Sequence, residues 1–64
     1  MIRLNGKDSA YIDETVGEML ERLEIQQRGV AVAVDGEIIC RSQWPSTRIV
    51  DHNVVEIVTA AAGG

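Results

Sequence analysis

An α+β domain, with one helix packed across a mixed sheet of four or five strands, is what this sequence predicts. Three observations carry that expectation. Two turn signals, Asn5-Gly6 and Asp35-Gly36, each divide a pair of short strand patterns. One amphipathic helix pattern, opened by a capping box, lies between the two hairpins. A last β-branched run, Val54 to Thr59, has no hairpin partner of its own and must find its neighbours elsewhere in the sheet.

Each element has a local cause. Ile2 and Leu4 alternate with Arg3, the pattern of a half-buried strand. Asn5-Gly6 turns the chain, because both residues tolerate positive φ. The returning strand is expected from about Lys7 to Ile12, with Ala10 and Ile12 on one face. Thr15-Val16-Gly17-Glu18 places an N-cap hydroxyl three residues before a glutamate that can reach back. Val16, Met19, Leu20 and Leu23 then fall at i, i+3, i+4 and i+7 and make one apolar stripe. Glu14, Glu18, Glu21 and Glu24 form the wet side, with Glu18 and Arg22 spaced as an i,i+4 pair. Gly17 weakens the first turn by roughly 1 kcal/mol relative to alanine. The helix is expected to end near Leu23 or Glu24.

The second hairpin runs Val30 to Val34, turns at Asp35-Gly36 and returns through Glu37 to Cys40. Alternation gives Val30, Val32 and Val34 to the core and Ala31 and Ala33 to the outer face. Arg41 to Val50, containing Trp44-Pro45, is expected as a loop, and Asp51-His52-Asn53 as a turn. In the last strand Glu56 must face out, so Val55 and Ile57 face in, and Val54 and Val58 share the outer face. Two hairpins leave the helix over an incomplete sheet. Inserting the last strand between them, parallel to the first, completes the two layers. That arrangement is the β-grasp (ubiquitin-like) fold.

Size and charge bound the function. Sixty-four residues make one domain with one core, and such a chain buries only about 60% of its unfolded surface. A deep catalytic pocket is hard to build at this size; a carrier, binding module or subunit is easier. The net charge of −4 argues against nucleic acid and anionic membranes and favours a partner with a basic face. A single cysteine makes no internal disulfide. No apolar h-region opens the chain and no run reaches spanning length, so the expectation is a cytoplasmic protein.

The end of the chain is the most informative segment. Residues 1–59 are expected as the domain and residues 60–64, Ala-Ala-Ala-Gly-Gly, as a flexible tail with too little side chain to bury. A small-residue arm ending in a free carboxylate suits acyl activation. The carboxylate of Gly64 attacks the α-phosphate of ATP, and the resulting acyl-adenylate is opened by a nucleophile. A terminal glycine removes the Cβ beside the reacting carbonyl, and Gly63, with Ala62 behind it, lets the backbone thread a narrow channel.

Taken together these residues resemble the sulfur carrier protein family of thiamine (thiazole) biosynthesis. The resemblance spans nearly the whole chain: Asn5-Gly6, TVGEML from Thr15, VAVAVDG from Val30, RSQW from Arg41, TRI from Thr47 and VEIVTAAAGG from Val55. Asp35-Gly36 stands where Asn-Gly is more usual, His52-Asn53 where Gly-Asp is usual, and Cys40 where proline is common. The resemblance implies that an ATP-using, ubiquitin-activating-like adenylyltransferase adenylates Gly64. A persulfide sulfur from a donor protein then displaces AMP to leave a thiocarboxylate, and thiazole synthase takes the sulfur. The protein is then a cosubstrate and no catalyst, with no bound cofactor and no metal. Two alternatives share its features: a ubiquitin-like modifier, or a sulfur carrier for molybdopterin or cysteine synthesis. A third is an interaction module with an inert tail.

Other candidate residues have plainer readings. Cys40 as a sulfur relay competes with a small buried hydrophobe in a strand. His52, with no second ligand, reads as a solvated turn residue. Trp44 reads as packing over the domain's edge. The helix glutamates read as its wet face. The outer sheet face, with Ala31, Ala33, Val54 and Val58, reads as a partner-docking surface.

Overall fold

A computed structural model describes residues 1–59; the expected tail, residues 60–64, lies outside the described residues. The order is β1 (Ile2–Leu4), β2 (Lys7–Ser9), α1 (Val16–Arg22), β3 (Val30–Val34), β4 (Glu37–Ile39), a 3₁₀ helix (Arg41–Ser46) and β5 (Val54–Thr59). The five strands form one sheet in the order β2-β1-β5-β3-β4. β5 lies between the hairpins, parallel to β1 through Arg3↔Val54 and Leu4↔Val55 and antiparallel to β3 from Val34↔Val55 to Val30↔Thr59. This is the β-grasp arrangement, with five strands.

The turns form as their residues require. Asn5 and Gly6 have φ of 50° and 80°, Asp35 and Gly36 of 51° and 83°, the left-handed pair of a type I′ turn whose twist matches the strands it joins. The helix opens with the full capping box: the Glu18 amide donates to Thr15 Oγ1 at 3.1 Å, and the Thr15 amide donates to Glu18 Oε1 at 2.8 Å. It closes with the Glu24 amide bonded to the Glu21 carbonyl at 3.0 Å and the Ile25 amide to the Leu20 carbonyl at 2.9 Å. That is a Schellman motif, with Glu24 at φ 56° where glycine is the commoner residue.

Val16, Met19 and Leu20 of α1 meet Ile2, Val32 and Val55 from the sheet, and Trp44 and Ile49 close the core between them. Leu23, Val30, Val34, Ile39 and Ile57 pack around it, half-buried. The segment after the 3₁₀ helix holds the start of α1: the Val16 amide donates to the Thr47 carbonyl at 2.8 Å, and the Ile49 amide to the Glu14 carbonyl at 2.9 Å.

Several expectations need correction. β2 stops at Ser9 rather than Ile12, because β1 offers only three paired positions, Ile2↔Ser9 to Leu4↔Lys7; Ala10 and Ile12 are exposed. The Arg41–Val50 segment is not all loop. Its first six residues form a 3₁₀ helix, tied by the Gln43 amide to the Cys40 carbonyl at 2.8 Å. Trp44 lies in the core at 2% exposure rather than over an edge, and its indole N–H donates to the Ile39 carbonyl at 3.0 Å. That bond lets the ring be buried with its polar atom satisfied. Cys40 lies outside β4, before the 3₁₀ helix, and is exposed rather than buried.

Glu14 is likewise no wet-face residue. It is 6% exposed and takes a two-pronged interaction from Arg22, with Nε at 3.0 Å from Oε1 and Nη2 at 2.8 Å from Oε2. The expected Glu18–Arg22 pair is therefore replaced by Glu14–Arg22, since Glu18 is engaged by the cap. The hydrogen bond to Glu14 holds the Arg22 guanidinium's pKa above its ordinary value.

Candidate functional site

β5 is the element on which a site can be built, because it leads directly to the chain end. Its pattern is read correctly from the sequence. Val55 is buried and Ile57 half-buried on the inner side, while Val54, Glu56 and Val58 are exposed on the outer side. Two hydrogen-bonding clamps grip this strand from the hairpin turns. Asp35 Oδ1 accepts from the Val54 amide at 2.7 Å, and Asp35 Oδ2 accepts from the Asn53 side-chain amide at 2.8 Å. The Asp35 amide donates in turn to the Val54 carbonyl at 2.7 Å. On the other side the Asn5 amide donates to the Val55 carbonyl at 2.9 Å, and Asn5 Oδ1 accepts from the Ile57 amide at 2.7 Å.

The four outer-face residues singled out in the sequence come together. Ala31 lies opposite Val58, Ala33 lies between Glu56 of β5 and Ile38 of β4, and Val54 is opposite Arg3 of β1. Ala31 is exposed and Ala33 half-buried. Val58 is 61% exposed and Val54 44% exposed. Sequence reasoning missed Ile38, which at 69% exposure is the most exposed large hydrophobic side chain of this face. The alternation Glu37-Ile38-Ile39 offered the signal, because Ile39 must take the inner side. At one margin Arg3 pairs with Asp8 at 3.5 Å, so the apolar strip ends on an ion pair there.

Nothing gathers around the remaining candidates. His52 is exposed in its turn, 3.8 Å from Asp51. Among the described residues no group of three or more His, Cys, Asp or Glu side chains is placed to hold a metal, and no helix is long and apolar enough to cross a membrane. An open groove lies between the start of α1 and the 3₁₀ helix, and Glu18, Glu21, Arg41, Pro45 and Arg48 are among the residues that line it. Arg48 pairs with Asp13 at 3.1 Å. The cap holds the Glu18 carboxyl below the usual carboxylate range through the Thr15 backbone and hydroxyl hydrogen bonds. The expected site residues of the tail, Ala62, Gly63 and Gly64, lie outside the described residues.

What the arrangement offers chemically is a strand held on both sides by side-chain hydrogen bonds, flanked by an exposed apolar strip and followed in sequence by five small residues. Comparison with known proteins points the same way. The ThiS family model matches residues 2–64. The chain is 33% identical to the sulfur carrier protein ThiS of Thermus thermophilus over 64 residues, covering all of both chains. It is 35% identical to the Escherichia coli sulfur carrier protein ThiS over 51 residues, 80% of this chain and 77% of that one. A crystal structure of a thiamine biosynthesis protein (ThiS) from Geobacter metallireducens superposes with a TM-score of 0.83 at 30% identity, covering 98% of this chain and 97% of the other. The chain belongs to the ThiS family.

Proposed function

We propose that this protein is the sulfur carrier of thiamine thiazole biosynthesis, with the carboxylate of Gly64 as its working group. The observation that carries the reading is the match of the ThiS family model over residues 2–64, in which Gly63-Gly64 follow the central strand after three alanines. A carboxylate oxygen of Gly64 attacks the α-phosphate of ATP and pyrophosphate leaves. The terminal sulfur of a persulfide then attacks the acyl carbon and AMP leaves. A thiol cleaves the resulting S–S bond, and the thiocarboxylate remains. Thiazole synthase consumes that sulfur and returns the carboxylate. The activating enzyme supplies the ATP site, and the carrier supplies the acyl group and no catalytic residue.

The body's task is to be held by the enzyme while the acyl group of Gly64 reacts. Gly63 and Ala62 add no bulk near the reacting carbonyl, where a displacement of about 1 Å costs on the order of 100-fold in rate. The outer face of Ala31, Ala33, Val54 and Val58, extended by Ile38, is the surface we assign to the activating enzyme. It spans β5, which residues 60–64 follow in sequence, and the neighbouring β3 and β4, and its exposed valines and isoleucine offer apolar area to a partner. The negative net charge suits a partner with a basic rim. The cytoplasm, where ATP and thiols are both plentiful, is the compartment this chemistry needs.

Intact mass spectrometry tests the reading. With ATP, the activating adenylyltransferase and a persulfide donor, the mass should change by replacement of one oxygen with sulfur. Conjugates on lysines of other proteins would indicate a modifier instead. No change with any activating enzyme would leave an interaction module.

A further inference from the structure

We propose that Asn5 is a positioning residue for activation of the chain end: its side chain fixes the last stretch of β5, the strand that residues 60–64 follow in sequence. The inference rests on the carrier reading above. It starts from where the β1–β5 ladder runs out. Pairing ends at Leu4↔Val55, because the chain turns away at Asn5 and Gly6 into β2. The next donor on that side of β5 is the Ile57 amide, and among the described residues no strand pairs with it there. Asn5 Oδ1 takes its place at 2.7 Å. Asn5 thus grips β5 twice, through its own N–H to the Val55 carbonyl and through its side chain to the Ile57 amide.

The position of that second grip gives it a functional consequence. Ile57 is two residues before the end of β5, and Gly64 is five residues beyond that end. On the opposite side β3 follows β5 all the way to Thr59. Without the Asn5 acceptor, the final residues of β5 hang on β3 alone and can twist about it. A strand end that twists is presented to the enzyme in more than one orientation, and selecting the productive one comes at the expense of apparent affinity. The same asparagine also serves the turn, because Asn, Asp and Gly tolerate its φ of 50°. The two roles are therefore separable by substitution.

Asn5→Gly keeps the turn and removes the acceptor; Asn5→Asp keeps both. The rate of thiocarboxylate formation is measured by intact mass against carrier concentration, with hydrogen exchange of the Ile57 amide followed in parallel. For Asn5→Gly the carrier KM should rise about threefold to tenfold, the value of one net hydrogen bond, with kcat near wild type and faster Ile57 exchange. Asn5→Asp should restore both. An unchanged KM with a deprotected Ile57 amide would show that the clamp only stabilises the fold, and failure of Asn5→Asp to restore KM would equally overturn the proposal. An inactive wild-type chain would instead sink the carrier reading itself and the positioning role with it.

Discussion

The two hairpin turns have nearly the same backbone, yet they hold opposite ends of one strand. Asn5-Gly6 and Asp35-Gly36 differ by no more than 3° in φ at either position. In each, the first residue turns its side-chain oxygen onto an amide of β5. Asp35 does so at Val54, where the strand begins, and adds a bond from Asn53 in the preceding turn. Asn5 does so at Ile57, where the β1 ladder has ended, two residues before the end of β5. The difference teaches that a turn residue chosen for positive φ acquires a second task from its surroundings. At Asp35 the task is to seat the strand in the sheet. At Asn5 it is to hold the strand's last stretch, where we place the positioning role.

The comparison matters only if β5 delivers the chain end. Deleting Gly64 should abolish thiocarboxylate formation while moving the melting temperature by no more than roughly 2 °C. A large loss of stability in that variant would show that the last residue packs, and the contrast between seating and positioning would break. Asp35→Ala should come next, lowering stability by about 2–3 kcal/mol through two lost hydrogen bonds and an alanine forced to positive φ. Asn5→Ala should cost less, about 1–2 kcal/mol, because one side-chain bond is lost. Urea unfolding measures both, and a reversed order would contradict the assignment of seating to Asp35. Asp35→Asn, which restores the commoner Asn-Gly turn but can no longer accept from both Val54 and Asn53, should lower stability by only about 0.5–1 kcal/mol.

The smallest effect separates the third turn, 51–53, from these two. Its Asp51 carboxyl is held below the usual carboxylate range, first by the hydrogen bond from the N-terminal ammonium, against desolvation; His52 and the ammonium charge add smaller pulls. A lowered folded-state pKa gives stability that is complete above the unfolded value of about 3.9 and is lost as pH falls through the folded value. The difference in melting temperature between wild type and Asp51→Asn should therefore shrink on acidification below about pH 4. A difference that stays constant down to pH 2 would show that the ammonium contact adds nothing.

Local chemistry makes most of the sheet legible in the sequence. Asn-Gly and Asp-Gly announce the type I′ turns, Thr15 and Glu18 the helix start, and the lone β-branched run at 54–59 has to lie between the hairpins. What escapes is tertiary. Whether Trp44 is buried depends on a carbonyl, that of Ile39, presented by the end of a neighbouring strand. Glu14, just before the N-cap, is buried with its carboxylate paired to Arg22 at the far end of α1, a pairing no i,i+4 rule anticipates. The 3₁₀ helix has no periodicity that a six-residue window can display, and its proline reads as a loop. Four members of the outer face are legible from alternation alone, but Ile38 is not singled out. The clamps of Asn5 and Asp35 are invisible because the turn already accounts for both residues.

The central claim, that sulfur is carried on the acyl group of Gly64, is tested most directly by fragmenting the protein in the mass spectrometer after reaction with ATP, the activating enzyme and a persulfide donor. The account predicts one oxygen-to-sulfur exchange confined to fragments containing the last residue. Sulfur found as a persulfide on fragments containing the exposed Cys40, with the chain end unchanged, would contradict it.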